Sequence, residues 1–524
     1  MLVLGCLLIA AMTGCTGAKR MAPTQAVALT GECSDATLTA ADRLINSAPT
    51  NPAHFHARAR INVCRGDRAR ALADLNRTIE LDPKRYDAFM ERAAIYERSG
   101  KLPAAIADYT RAVSLRPDEF DPYFNRGMLM KARGETGRML DDMLSAAKTG
   151  RRDPRPHLIR ARALLDQGRA DTALADLDAV MDMESGNTEA LTMRGYAHYA
   201  LGQLDRAEDD WEDAIDEDEG MFKAWLGLGT AYLETSRLAE AVDALGTALG
   251  LEAGSDGRIS ALYNRGYAYY KLSMYEEAAK DFSAAIELAP GDHDLHVLHA
   301  YAQYYLGHTE EALHGLDLAL ELNPTGSRIY FDRGNIYLNT YNYASAVDDY
   351  TSAIALDRAF YEAYLNRAKA YYEEGESRLA LADYDRAVAL RPGDATPYRN
   401  RSAALIALGR LEAARADLSK AYEMAPELRD ITTALAEISA NLGAWQDACG
   451  WLEEALDREE ADWEYLVTNP AFRTLRSQPC FIGLAAVIAP EGVAISEVSP
   501  PTPVEPKPTL PDVDFPMPGI APTK

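Results

Sequence analysis

The sequence predicts an all-α solenoid of about twelve stacked helical hairpins with a cap at each end. Three observations carry that reading. First, a 34-residue frame runs through twelve units, beginning at Pro52, Tyr86, Phe120, Pro154, Thr188, Phe222, Ile259, His293, Ser327, Tyr361, Ala395 and Arg429. Second, the eighth residue of every unit is small, from Ala59 and Ala93 through Gly334 to Ala436, and the twentieth is Ala in all but the third, where it is Met139. Third, the seventh residue is Arg and the twenty-third Asp in the same nine units. A fixed period of this length means that each unit is one supersecondary element burying its apolar face on its neighbours.

The chain opens with MLVLGCLLIAAMTGCTGAKR. Residues 1–14 read as an export signal, because the apolar run is too short to span a bilayer. Met12-Thr13-Gly14-Cys15 resembles the bacterial lipobox, which implies cleavage before Cys15 and lipidation of its thiol. Met12 stands where Leu is usual, and no Lys or Arg precedes the apolar run, which suggests a start further upstream. Val3-Leu4-Gly5-Cys6 is a rival site, but it leaves an apolar stretch behind it. Several acyl chains on one Cys anchor stably where one does not. Thr16 follows, where Asp would favour the inner membrane, so the expected location is the periplasmic face of an outer membrane. A soluble cytoplasmic adaptor is the alternative.

Residues 15–34 form the expected lipidated linker. Residues 35–51 read as a lone second helix capping the stack, with Pro49 in phase with the later terminal prolines. Four cysteines remain beyond the anchor, Cys33 and Cys64 near one end and Cys449 and Cys480 near the other. Cys33 begins the capping helix and Cys64 ends the next first helix, so antiparallel packing sets them at one level. A Cys33–Cys64 bridge is expected, with Cys449–Cys480 mirroring it, although four Cys permit three pairings.

Residues 361–394 show how one unit is made. Tyr364, Ala368 and Tyr371, then Ala380, Tyr384 and Ala387, recur at helical spacing. Gly375 breaks the pattern between the two helices and Pro392 ends the second. Ala368 and Ala380 are expected to face each other across the hairpin, where a larger side chain would overpack the seam. Units one to six occupy 52–258 and units seven to twelve 259–460. The frame slips by three residues at Gly254-Ser255-Asp256-Gly257, which predicts either a joint between the two blocks or a long turn.

This pattern resembles the tetratricopeptide repeat. The marks are the small eighth residue, an aromatic at the eleventh, Ala at the twentieth and twenty-seventh, and Pro at the thirty-second. Tyr96, Ala105, Ala112 and Pro117 match in the second unit, and Tyr269, Ala278, Ala285 and Pro290 in the seventh. Arg151, Ser185, Glu219 and Ala253 depart from the proline. The resemblance implies a right-handed superhelix whose first helices line a concave groove, with places 2, 5, 9, 12 and 13 pointing into it. Those places hold Tyr196, Tyr199, Tyr263, Tyr267, Tyr270, Tyr301, Tyr304 and Tyr305. Tyrosine offers apolar area, a hydroxyl and a low entropy cost, so a peptide or protein partner is expected there.

The nine Arg–Asp coincidences predict an ion pair inside nine hairpins, because places 7 and 23 are equidistant from the turn. The other three units lack both members, with Leu228 and Ala244, His299 and Gly315, and Leu435 and Trp451.

Net charge is −26, which argues against a nucleic-acid partner and favours basic ones. Glu208 to Glu219 holds nine acids in twelve residues without calcium-loop spacing, and reads as a solvated outer helix. No phosphate loop, GxSxG elbow, HExxH or CxxC occurs, so neither catalysis nor a cofactor is expected. His293, His296 and His299 are the nearest approach to a metal site, and a metal-dependent envelope enzyme is the alternative they raise. Residues 461–488, with Trp463, Phe472, Leu475, Phe481 and Leu484, read as a terminal cap. Residues 489–524 read as a Pro-rich spacer, extended and mobile, with nine prolines from Pro500 onward. The function expected is a non-enzymatic interaction scaffold, lipid-anchored in the cell envelope and assisting assembly of an envelope complex.

Overall fold

A computed structural model describes residues 33–150 and 152–489. The signal, Cys15, nearly all of the linker and all but the first residue of the Pro-rich tail lie outside those residues. Among the described residues there are twenty-seven α-helices, two 3-10 turns and no strand. Two compact units divide them, one ending at Leu288 and the other beginning at Ala289.

The first unit starts with helix α1, Asp35–Ser47, whose Ser34 hydroxyl caps the Thr37 amide. Seven helical hairpins follow, from Pro52–Cys64 with Arg68–Leu81 to Ser255–Lys271 with Tyr275–Leu288. The second unit holds five hairpins, from His293–Tyr305 with Thr309–Leu322 to Ile431–Asn441 with Trp445–Asp457. It closes with the short helix Trp463–Thr468, the two 3-10 turns and a last helix, Pro479–Ile488.

Each hairpin turn reverses through a residue with positive φ. Nine of the twelve use glycine, from Gly66 at +78° to Gly443 at +73°, because glycine has no Cβ to clash there. The seam behind the turn is tight, as the sequence suggested, and a further residue shares it. Ala368 and Ala380 do share a buried cluster, but Tyr384 is in it too. The small eighth residue makes room for a bulky twenty-fourth. A Cβ added to Gly195 would lie 2.5 Å from the Trp211 ring, one on Gly266 would lie 2.9 Å from Phe282, and one on Gly334 would lie 2.8 Å from Tyr350. Trp211 is gripped from both sides, since a Cβ on Gly227 of the next hairpin would also meet it at 2.5 Å.

The frame slip is neither a joint nor a long turn. The three extra residues join the seventh hairpin's first helix, which runs seventeen residues against thirteen for its predecessor. Gly257 sits there because a Cβ would come within 2.7 Å of Phe222. The ends are closed as well. Cys33 is bonded to Cys64 and Cys449 to Cys480, each pair with Cα atoms 6.0 Å apart. In the second unit Phe472, Leu475 and Phe481 are fully buried, clustered with Leu452 of the last hairpin and Leu466 of the short helix Trp463–Thr468.

Candidate partner-binding surfaces

The nine expected ion pairs all form. Seven are forks in which Arg Nε and Nη2 each reach a different Asp oxygen, at 2.6–2.9 Å. They join Arg58 to Asp74, Arg92 to Asp108, Arg126 to Asp142, Arg265 to Asp281, Arg333 to Asp349, Arg367 to Asp383 and Arg401 to Asp417. Arg194 makes the same approach to Asp210. Arg160 reaches Asp176 through Nη1 alone, at 2.9 Å, and His157 Nδ1 lies 2.8 Å from the same oxygen. The acids are buried, so the pairs belong to the fold's interior. Hydrogen bonding to Asp108 raises the Arg92 guanidinium above its ordinary value, against the pull of burial. Burial pushes the Asp349 carboxyl up, and the Arg333 hydrogen bond draws it back.

Six of these arginines do a second thing that the sequence reading missed. The remaining nitrogen, Nη1, reaches back to the previous hairpin. Arg58 meets Asp42 of α1 at 2.7 Å, Arg92 meets Asn76 at 2.8 Å, and Arg126 meets Thr110 at 3.1 Å. In the second unit Arg333 meets Asp317 at 2.5 Å, Arg367 meets Thr351 at 2.9 Å, and Arg401 meets Asp385 at 2.7 Å. The signal was available, because the partner is always the twenty-fifth place of the unit before. With both edges of the guanidinium engaged inside the protein, these six arginines are not free to take an anionic ligand.

The tyrosines are less uniform than the groove expectation had them. In the first unit Tyr196, Tyr263 and Tyr270 are buried. Tyr196 donates to the Lys223 carbonyl at 2.7 Å and packs edge-on to Trp211, with ring centroids 5.2 Å apart. Tyr199 is half-buried and its hydroxyl meets Glu234 at 2.5 Å. Tyr267 is also half-buried, with the Lys271 ammonium 5.5 Å from its ring. In the second unit Tyr301 is buried, Tyr304 half-buried and Tyr305 39% exposed. Tyr304 accepts from Asn339 at 3.3 Å and lies edge-on to Tyr305. Burial therefore removes four of the eight from any contact surface. Periodicity alone cannot tell a buried ring from one that faces outward.

The second unit also buries a polar group. Asp332 is 1% exposed and accepts from Arg328 at 2.9 Å, and Tyr301 is its second hydrogen-bond partner. Burial lifts its carboxyl to about 6. One helical turn on, Asn335 Oδ1 accepts from Tyr350 at 2.8 Å and from Asn366 at 2.9 Å.

The histidines do not converge. His296 meets the Pro290 carbonyl at 3.1 Å, His299 meets Gln303 at 3.1 Å, and His293 meets Asn323 at 3.3 Å. Among the described residues no group of three or more His, Cys, Asp or Glu is placed to hold a metal ion. No helix there is long and apolar enough to cross a membrane.

Comparison with known proteins agrees with this architecture. Tetratricopeptide repeat families match residues 56–122, 158–258, 259–292, 297–395 and 399–463, more than half of the chain. No curated protein matches it. Among solved structures it is similar to the APC/C hetero-tetramer Cut9–Hcn1, at 15% identity over 76% of this chain and 92% of that one, with a TM-score of 0.36. It is similar to yeast Tom70 at 16% identity over 83% and 95%, with a TM-score of 0.35. YrrB, described as a TPR protein with an unusual peptide-binding site, aligns at 23% identity over 35% and 92%, with a TM-score of 0.30.

Proposed function

This chain belongs to the tetratricopeptide repeat family, and on that premise we propose that it is a non-enzymatic scaffold, lipid-anchored through Cys15 on the periplasmic side of a bacterial outer membrane. It holds a protein or peptide partner along the first-helix faces and assists assembly of an envelope complex. The observation that carries the binding reading is the row of first helices repeated at a fixed period. It sets half-buried Tyr199 and Tyr267 on the first helices of one unit, and Tyr304 with exposed Tyr305 on a first helix of the other. Such rings add contact area at low entropy cost because their neighbours already hold them. The envelope reading is supported by the two end disulfides, since such bonds persist in oxidising compartments and are rare in the cytosol.

The test is crosslinking and pull-down from native membranes with the wild-type chain and with Tyr267→Ala plus Tyr304→Ala. The double variant should recover its partner several-fold less well. Equal recovery of the same partners would remove the first-helix face as the binding site. Cys15→Ser should abolish incorporation of labelled fatty acid and release the protein from membranes, and continued labelling would put the anchor elsewhere.

A further inference from the structure

The cap that closes the second unit breaks the rule for an end. A terminal element of a stack needs a polar outer face. The first unit keeps to this, for α1 exposes Asp35, Thr39, Arg43 and Ser47. The last helix of the second unit, Pro479–Ile488, has no charged residue and no hydroxyl or amide side chain, and its Cys480 is bonded to Cys449. Phe481 and Ala485 are buried in the cap. Ile482 is 46% exposed and Val487 83%, the most exposed of the large apolar side chains among the described residues. Gly483 and Ala486 between them are exposed as well. Steps of three and four along a helix share a side, so these four residues make one continuous apolar face.

The chain that leaves this helix has the composition and length to cover that face. Ala489 exits in an extended conformation, at φ −61° and ψ 134°. Residues 490–524 lie outside the described residues, and their sequence opens Pro490-Glu491-Gly492-Val493-Ala494-Ile495-Ser496-Glu497. Proline and glycine are the residue types that reverse a chain. In an extended segment alternate side chains share a side, which groups Val493, Ile495 and Glu497. Val493 to Glu497 then spans about 13 Å, and Val487 back to Pro479 spans about 12 Å along the helix. With Val493 at Val487, Ile495 falls at Ile482 and Glu497 falls at the helix start. That start suits a carboxylate, because Gln478 gives it no side-chain cap. Two residues earlier in the chain, Arg476 donates from Nη2 to the Asn469 carbonyl at 3.0 Å, and its buried Nε has no hydrogen-bond partner. A second copy fits the face less well, since four residues are far fewer than the roughly 20–30 a side of a specific interface. A segment joined to the helix by a short turn is also present at high effective concentration.

We propose that residues 493–497 fold back antiparallel on the last helix, with Val493 and Ile495 on the face of Ile482 and Val487 and with Glu497 at the helix start. The chain thereby supplies the cover for its own cap.

The test places a photo-crosslinking phenylalanine analogue at Ile495 of the full chain and maps the products of irradiation. The expected product is a monomer in which position 495 is joined to the peptide holding Ile482 and Val487. Val487→Asp should lower that yield at least three-fold while helical content stays that of wild type, because the side chain it replaces is exposed. Glu497→Gln should lower it roughly two- to five-fold, the size of a charge at a helix N-terminus. Crosslinks between two chains would assign the face to a second copy and overturn the proposal. Crosslinks elsewhere in the chain, no crosslink, or a yield indifferent to Val487→Asp would overturn it too. A yield indifferent to Glu497→Gln would overturn the register.

Discussion

At the scale of single residues, the fold is governed by volume inside each hairpin. Gly195 has no side chain because the Trp211 indole occupies the space, and Trp211 is fully buried with its Nε1 donating to the Thr192 carbonyl at 3.2 Å. Gly195→Ala should therefore lower stability by about 1–3 kcal/mol, the cost of overpacking, even though alanine favours helix. Chemical denaturation measures it, and a neutral or stabilising result would mean that the indole moves aside freely. Asp332 gives a second prediction, of a different kind. Its carboxyl is raised to about 6 in the folded chain, above the ordinary carboxylate value of 3.8. The folded state thus holds a proton that the unfolded state has released between those values. The stability this group contributes is full below about pH 4 and is lost as pH rises through about 6. Asp332→Asn should flatten the stability profile across that window, so that the variant gains on wild type between pH 4 and pH 7. Parallel profiles for the two proteins would refute the assignment.

At the scale of elements, the arginine of the seventh place joins three helices at once in six units. It bonds the second helix of its own hairpin and the second helix of the hairpin before. Arg333 does this with Asp349 and Asp317, and its side chain is only 20% exposed. Asp349 is left buried when the arginine is removed, so Arg333→Leu should cost about 2–4 kcal/mol, below the range for a fully buried pair. Arg77→Leu, which breaks an exposed pair with Glu80, should change stability by less than about 0.5 kcal/mol. Thermal melts of the two variants side by side decide it, and an unchanged Arg333→Leu melt would show that the ladder is ornamental. The pairing within hairpins was legible from the sequence because both members appear and vanish together. The pairing between hairpins was harder to read, because the twenty-fifth place accepts Asp, Asn or Thr, and different side chains serve the same hydrogen bond.

At the scale of the whole molecule, the chain's own regularity dictated most of what is seen. Hairpin borders follow from the 34-residue period, because a helical face that cannot be buried alone must repeat to be buried at all. The small eighth residue, the turn glycines and the co-varying Arg and Asp all follow from local stereochemistry or from contacts within one period. Other matters were decided only when neighbouring helices met. Whether Tyr263 is buried while Tyr305 meets solvent depends on which side chains pack around each ring. Whether three inserted residues make a loop or lengthen a helix depends on the space beside Phe222. Burial of a particular side chain is a property of its neighbours in space, and a linear repeat specifies those neighbours by type without fixing the gaps between them.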